Sequence, residues 1–146
     1  MSGYLLDTSV LSVFAPDRPE LPSNFKTWLS GPGRRETWYI PAIAAAEVQK
    51  GVAKLRRAGG TERAARLEQW LERLLSEFGE RVLPIDSATA RTAGSMEDSA
   101  IARGRNPGLP DILIAATAIE HDLVILTANS RHFEALEVAH FNPFAV

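Results

Sequence analysis

The chain has 146 residues, with 16 Lys and Arg against 18 Asp and Glu and a formal net charge of -2. Hydrophobic residues make up 45% and charged residues 23%, which predicts a globular protein with a single domain over residues 1–146 and excludes a disordered tail. No apolar run approaches the roughly 20 residues of a membrane span, and the net charge argues against a protein that coats nucleic acid by bulk electrostatics.

The start of the sequence indicates the cellular compartment, and the cysteine count restricts the kinds of metal ligand. Asp7 follows a short apolar run with no basic start, unlike a secretory signal, so we expect a cytoplasmic protein. The chain contains no cysteine, which excludes disulfides, thiolate zinc sites and cysteine nucleophiles. Any metal must therefore be held by oxygen or histidine, and the three histidines show no zinc-ligand spacing.

The first half of the sequence predicts two strands and four helices. Tyr4-Leu5-Leu6 is a short apolar run that predicts a buried strand, and Asp7-Thr8-Ser9 favours the start of a short helix that ends before Pro16. Thr37-Trp38-Tyr39-Ile40 is β-branched and aromatic, which also favours a strand. Further helices are predicted over residues 23–29, 42–57 and 61–78.

The second half continues the alternation of strands and helices. Strands are predicted over residues 81–85, where Pro84 favours a sheet edge, and over residues 123–126 and 138–141. Helices are predicted from Ser87 towards Arg103 and over residues 111–121 and 129–136. The alternation predicts a three-layer α/β sandwich with a mostly parallel central sheet of about five strands flanked by helices.

Polar residues follow two of the predicted strands directly. Asp7 comes after the first strand, and Thr127 and Asn129 come after the strand that ends at Leu126. Open α/β sheets bind ligands at the carboxyl ends of their strands, so we expect these side chains to lie close together.

Two further acids are candidates for the same site. Asp111 starts a predicted helix, whose dipole favours a carboxylate there, and Glu47 is the only acid in residues 42–53. The simpler interpretation is that Asp7 and Asp111 are helix N-caps, worth about 1 kcal/mol each, and that Glu47 is solvated. Carboxylates that converge in a dry crevice instead require a cation such as Mg²⁺ or Mn²⁺.

Four segments of the sequence resemble, in order, the motifs of the PIN-domain ribonucleases. They are LLDTSVLS at residues 5–12, AEVQKG at 46–51, LPDILIAATA at 109–118 and LTANSRHF at 126–133. The resemblance extends over nearly the whole chain and is strongest to the VapC-like and FitB-like toxins of type II toxin–antitoxin modules.

This resemblance implies roles for individual residues. Asp7 and Asp111 become direct metal ligands, Glu47 completes the acidic cluster, and Thr8 and Thr127 orient carboxylates or phosphate. The implied cofactor is Mg²⁺ or Mn²⁺, and the implied reaction is hydrolysis of RNA phosphodiester bonds by an activated water.

The fourth motif departs from the family pattern. Many members have Asp where this chain has Asn129, so the site carries one negative charge fewer, and the choice between one and two metal ions stays open. Arg131 and His132 follow this segment directly and are predicted to contact the phosphate of the substrate.

The resemblance also implies partners. A small antitoxin would wrap the toxin and push a basic side chain into the acidic crevice, and the toxin would form a homodimer. The apolar helix faces near Trp28 and over residues 67–78 are the candidate surfaces for both contacts. The alternatives are a catalytically silent PIN-like binding module and a housekeeping PIN nuclease. A phosphoryl-transfer domain fits poorly, because Ser9 stands where an Asp-x-Asp pair needs its second acid.

Overall fold

The computed structural model describes residues 3–145. Its strands form one five-stranded sheet in the order β3-β2-β1-β4-β5, and every neighbouring pair is parallel. The strands are β1 (Tyr4–Leu6), β2 (Trp38–Pro41), β3 (Val82–Leu83), β4 (Val124–Leu126) and β5 (His140–Phe141). The predicted α/β fold with a parallel sheet of five strands is confirmed.

Helices connect the strands throughout the described residues. They are α1 (Thr8–Leu11), α2 (Ser23–Ser30), α3 (Ala42–Arg57), α4 (Thr61–Phe78), α5 (Ser87–Ala102), α6 (Leu109–His121) and α7 (Ser130–Glu134). Single 3₁₀ turns follow at Ser12–Phe14, Pro32–Arg34 and Gly79–Arg81. No helix within residues 3–145 is long and apolar enough to cross a membrane.

The sheet separates two hydrophobic cores, which makes the fold three-layered. Successive side chains of a strand point to opposite faces, so Leu5 of β1 packs in one core with α5 and α6, whereas Leu6 packs in the other with α1 and α2. β4 behaves in the same way, because Ile125 joins the first core and Leu126 the second. Strands β1 and β4 are therefore covered on both faces.

Several element ends differ from the sequence prediction. Helix α6 begins at Leu109 and not at Asp111, because Pro110 needs no backbone N–H partner and suits the first turn of a helix. Asp111 is therefore the third residue of α6 and not its N-cap. Strand β3 is shorter than predicted, and its place at the sheet edge agrees with the nearby Pro84.

The apolar surface predicted near Trp28 is wrong, and the apolar side chains over residues 67–78 are half-buried or buried. Trp28 is only 6% exposed and packs in the second core, and Leu71 in the middle of α4 is 4% exposed. The large apolar side chains that are exposed among the described residues lie mainly on or beside α5 and α6: Ile85, Ile101, Leu109 and Ile119. A long amphipathic helix such as α4 uses its apolar face for the core first.

Candidate active site

Asp7 lies at the carboxyl end of β1 and is held rigidly there. Its backbone N–H donates to the carbonyl of Leu126 at 2.9 Å, which joins the ends of β1 and β4. Its side chain is almost fully buried, and Oδ1 accepts a 2.9 Å hydrogen bond from the backbone N–H of Thr8. Asp7 is thus the N-cap of α1, as the simpler interpretation predicted, but its second oxygen faces a different set of partners.

Two hydroxyl groups orient the second oxygen of Asp7. Ser9 Oγ and the buried Thr127 Oγ1 donate to Oδ2 at 2.7 and 2.8 Å. The same hydroxyls also accept hydrogen bonds from the backbone: Ser9 Oγ from the N–H of Ala128 at 3.0 Å, and Thr127 Oγ1 from the N–H of Asn129 at 2.9 Å. Since a hydroxyl has one proton to donate, this network fixes both the carboxylate and the loop that follows β4.

Glu47 reaches the same end of the sheet from the second turn of α3. Thr8 Oγ1 donates to its Oε1 at 2.7 Å, so the residue after Asp7 holds the second acid in place. Burial raises the pKa of the Glu47 carboxyl above its ordinary value, the Thr8 hydrogen bond opposes this, and the negative charges of Asp7 and Asp111 raise it further. Glu47 is therefore not a solvated helix residue.

Asp111 is the third acid of the site, in the first turn of α6. Burial raises the pKa of its carboxyl, and the charge of Asp7 acts in the same direction. His132 opposes the shift, because its Nδ1 lies 3.0 Å from Oδ2 of Asp111. His132 is therefore in the site, but as a partner of a carboxylate and not as a free phosphate ligand.

The three acids line one open crevice of about 560 Å³. Thr8, Asn129 and His132 lie on its wall, together with Ser9, Ser12, Arg18, Gly108 and Pro110. Asn129 donates its backbone N–H to Thr127, whereas its side-chain amide caps no helix. The amide is therefore available to a ligand in the crevice.

The donor set fits a cation that prefers oxygen ligands. Burial raises the pKa of both Glu47 and Asp111 beside the charge of Asp7, so a positive ion in the crevice relieves a real electrostatic cost. Within residues 3–145, no group of three or more His, Cys, Asp or Glu side chains is arranged as a ready-made metal site. The carboxylates share a crevice without meeting at one point, and water molecules must complete any coordination.

Sequence reasoning found most of the site and missed part of it. The structure brings together Asp7, Thr8, Glu47, Asp111, Asn129 and His132, with Thr127 directly behind Asp7. Arg131 is exposed and does not line the crevice, so its predicted phosphate contact lacks support from its position. Ser9 was missed although it stands in the Asp7-Thr8-Ser9 motif, and Arg18 was missed because no sequence signal links it to the strands.

Comparison with known proteins agrees with the fold. The PIN domain family matches residues 4–138 of the chain. Toxin FitB of Neisseria gonorrhoeae is 34% identical over 140 residues, which cover 96% of this chain and 97% of that protein. The VapC ribonuclease Y4jK of Sinorhizobium fredii is 31% identical over 143 residues, with 96% of both chains covered.

A solved structure extends this similarity to three dimensions. The crystal structure of FitAcB from Neisseria gonorrhoeae superposes with a TM-score of 0.81 and 33% sequence identity, and the match covers 98% of this chain and 99% of that one. Sequence and fold thus agree over nearly the full length of both proteins. The chain belongs to the PIN-domain family, and within it resembles the FitB and VapC proteins.

Proposed function

We propose that this protein is an endoribonuclease that depends on Mg²⁺ or Mn²⁺ and acts as the toxin of a toxin–antitoxin module. The observation that carries the proposal is the crevice at the carboxyl ends of β1 and β4, which Asp7, Glu47 and Asp111 all line. The similarity to proteins named toxin FitB and VapC ribonuclease supports it.

The roles of the residues follow from their contacts. Asp7 and Asp111 are the direct ligands of the cation in this proposal, with Glu47 beside them. A divalent cation held there would neutralise part of the negative charge of the phosphate and would lower the pKa of a water molecule. Ser9 and Thr127 keep Asp7 in position through Oδ2, and Thr8 keeps Glu47 in position through Oε1.

Two other side chains have roles towards the substrate. Because burial raises the pKa of Glu47, its free oxygen Oε2 is a stronger base than an ordinary carboxylate and is suited to accept a proton from the attacking water. Arg18 lines the crevice and supplies a positive charge for the RNA phosphate.

The partner in this proposal is a small antitoxin that inserts a basic side chain between the acids of the crevice. Such a side chain relieves the same repulsion as a cation and blocks its place. We also propose a homodimer, formed through exposed apolar side chains of α5 and α6 such as Ile101, Leu109 and Ile119. Cytoplasmic RNA is the expected target of such a toxin.

Cleavage of RNA by the purified chain tests the enzymatic part of the proposal. We expect cleavage of single-stranded RNA with Mg²⁺ or Mn²⁺ and none after addition of EDTA. The toxin role is tested separately by expression in cells, where growth arrest should be relieved by co-expression of the neighbouring upstream reading frame. Cleavage without growth arrest would leave a housekeeping nuclease.

A catalytically silent binding module is the second candidate, and Asn129 is the observation that favours it. An amide at this position leaves the crevice with three acids instead of four. Calorimetry separates the two candidates, because the nuclease should bind Mn²⁺ with heat that disappears in Asp7→Ala. A silent module gives no such metal-dependent heat.

A further inference from the structure

A second groove adjoins the acidic crevice and has no role in the proposed chemistry. It has a volume of about 430 Å³ and shares Thr8, Ser12, Arg18 and Glu47 with the crevice. Its walls come from α3, α4 and the loop of residues 15–19. We call it the lateral groove. A chain-like ligand that occupies the crevice can therefore continue into it without leaving the protein surface.

One wall of the lateral groove has a glycine at its centre. Glu47, Gly51 and Leu55 all line it from α3 at steps of four residues, which places them along one face of the helix. A Cβ atom added to Gly51 would meet no atom within 4 Å. Glycine is a poor helix former, and packing within the chain gives no reason for it here, so the open space above Gly51 is available to a ligand.

The opposite wall presents an indole ring. Trp70 is half-buried and lines the lateral groove from α4, together with Leu67 and Arg63. One side of Trp70 packs against the second core, but unlike Trp28 and Trp38 it belongs to none of the ring pairs formed within residues 3–145. Indole rings beside charged grooves are the usual stacking partners of nucleobases in single strands.

Two arginines of the lateral groove are left for an anionic ligand. Arg66 on α4 is engaged, because it donates twice to Asp17 at 3.0 and 2.8 Å. Arg18 and Arg63 both line the lateral groove, and neither forms an ion pair or side-chain hydrogen bond with residues 3–145. Their charges favour a polyanion over a neutral apolar peptide.

We propose that the lateral groove binds one nucleoside of the RNA next to the cleaved phosphodiester, with its base between Trp70 and Gly51. Gly51 lies four residues, about 6 Å along the axis of α3, beyond Glu47, which is within reach of a base whose phosphate sits in the crevice. Arg18 stands where the groove and the crevice meet and binds the connecting phosphate, and Arg63 binds the next one. This inference rests on the proposed nuclease function.

A leucine at position 51 tests the proposal by filling the groove. The probe is a short fluorescent oligoribonucleotide of mixed sequence, bound in EDTA to the Asp111→Asn chain so that no cleavage occurs. We expect Gly51→Leu to weaken binding by roughly tenfold, the size of one lost base-stacking contact. Gly94→Leu is the matched control, because Gly94 is an exposed glycine within α5, also has no atom within 4 Å of an added Cβ, and lies outside the groove.

A pair of arginine variants tests the charges of the lateral groove in the same assay. Arg63→Gln should weaken binding and reduce its dependence on salt, because one phosphate contact is lost. Arg73→Gln changes an exposed arginine of the same helix outside the groove and should leave both unchanged. In the chain with Asp111 restored, Gly51→Leu should also change the nucleotide preference beside the cleaved bond in a randomised RNA.

Several outcomes would overturn the inference. One is that folded Gly51→Leu binds the probe as tightly as the parent and cleaves randomised RNA with the same preference. Another is that Gly51→Leu still binds RNA but no longer binds the antitoxin, which would indicate that the groove binds a peptide. If Gly51→Leu fails to fold, the same binding assay is carried out with Gly51→Ala and Arg63→Gln. RNA binding through the groove without any metal-dependent cleavage would instead contradict only the proposed nuclease function.

Discussion

Thr127 Oγ1 donates a 2.8 Å hydrogen bond to Oδ2 of Asp7, across a separation of 120 residues in the sequence. The two residues directly follow Leu6 and Leu126, which are register partners in β1 and β4. Parallel pairing therefore brings a hydroxyl and a carboxylate together at the same edge of the sheet. Because this hydrogen bond requires β1 and β4 to be neighbours, the order of the strands determines the position of the Asp7 carboxylate.

Thr127→Val should weaken both the fold and the activity. Valine has nearly the same shape, but it removes the donor to a buried carboxylate and the acceptor for the Asn129 N–H. We expect a loss of about 2 kcal/mol in the free energy of unfolding, measured by urea denaturation, together with slower RNA cleavage. Thr127→Ser keeps the hydroxyl and should recover most of both.

Thr117→Val is the matched control for this substitution. Thr117 is also fully buried, but its hydroxyl donates to the carbonyl of Leu113 within α6, and Thr117 does not line the crevice. It should cost about 1 kcal/mol or less and leave RNA cleavage unchanged. Equal losses of activity in Thr117→Val and Thr127→Val would argue against a positioning role for Thr127.

Glu47→Gln should stabilise the metal-free protein at neutral pH. Burial raises the pKa of Glu47, so the folded state binds its proton more tightly than the unfolded state, and stability falls as the pH rises through the folded pKa. The glutamine side chain carries no charge and keeps an oxygen that can accept from Thr8 Oγ1. The advantage of the variant in thermal unfolding should therefore be present at pH 7 and disappear below the ordinary pKa of a glutamate. A constant difference between the two proteins across that range would contradict this.

His132→Ala should raise the pKa of Asp111 further. The imidazole lies 3.0 Å from Oδ2 and opposes the effect of burial on that carboxyl. Titration of the carboxyl carbons followed by NMR measures the change directly. His121→Ala changes a histidine that is not among the causes acting on Asp111 and should leave that titration as it is.

Asn129→Asp should make the stability of the fold depend more strongly on a bound cation. A fourth carboxylate in the crevice adds repulsion to Asp7, Glu47 and Asp111, so the metal-free variant should unfold at a lower temperature at neutral pH. Calorimetry should show tighter binding of Mn²⁺, because the affinity for such ions rises with the negative charge of the ligand set. Asn106→Asp adds the same charge on an exposed loop and should do neither.

The sequence was most informative where the backbone alone positions a residue. Asp7 and Thr127 directly follow apolar strands, and the parallel pairing of those strands brings the two side chains together. Asp111 was identified as a site residue, but its place in the helix was wrong, because Pro110 moves the helix start upstream to Leu109.

The parts that could not be predicted depend on contacts between distant segments. Arg18 lies on an exposed loop after α1, and only the packing of that loop near α4, through Asp17 and Arg66, brings it to the crevice. Arg131 and His132 are adjacent in sequence, yet α7 turns only His132 towards Asp111. A sequence pattern cannot specify the direction of a side chain on a helix of five residues.

In the proposed function, Asp7 and Asp111 hold the cation on which RNA cleavage depends. The most direct measurement is the rate of RNA cleavage with Mn²⁺ by the parent, Asp7→Asn, Asp111→Asn and the exposed control Asp98→Asn, each confirmed as folded by thermal unfolding. Both crevice variants should lose cleavage by at least about 100-fold, because even residues that only orient a metal ligand cost about 10- to 100-fold when they are changed, whereas Asp98→Asn should cleave like the parent. Parental cleavage rates in folded Asp7→Asn and Asp111→Asn would contradict the role of these two acids as cation ligands.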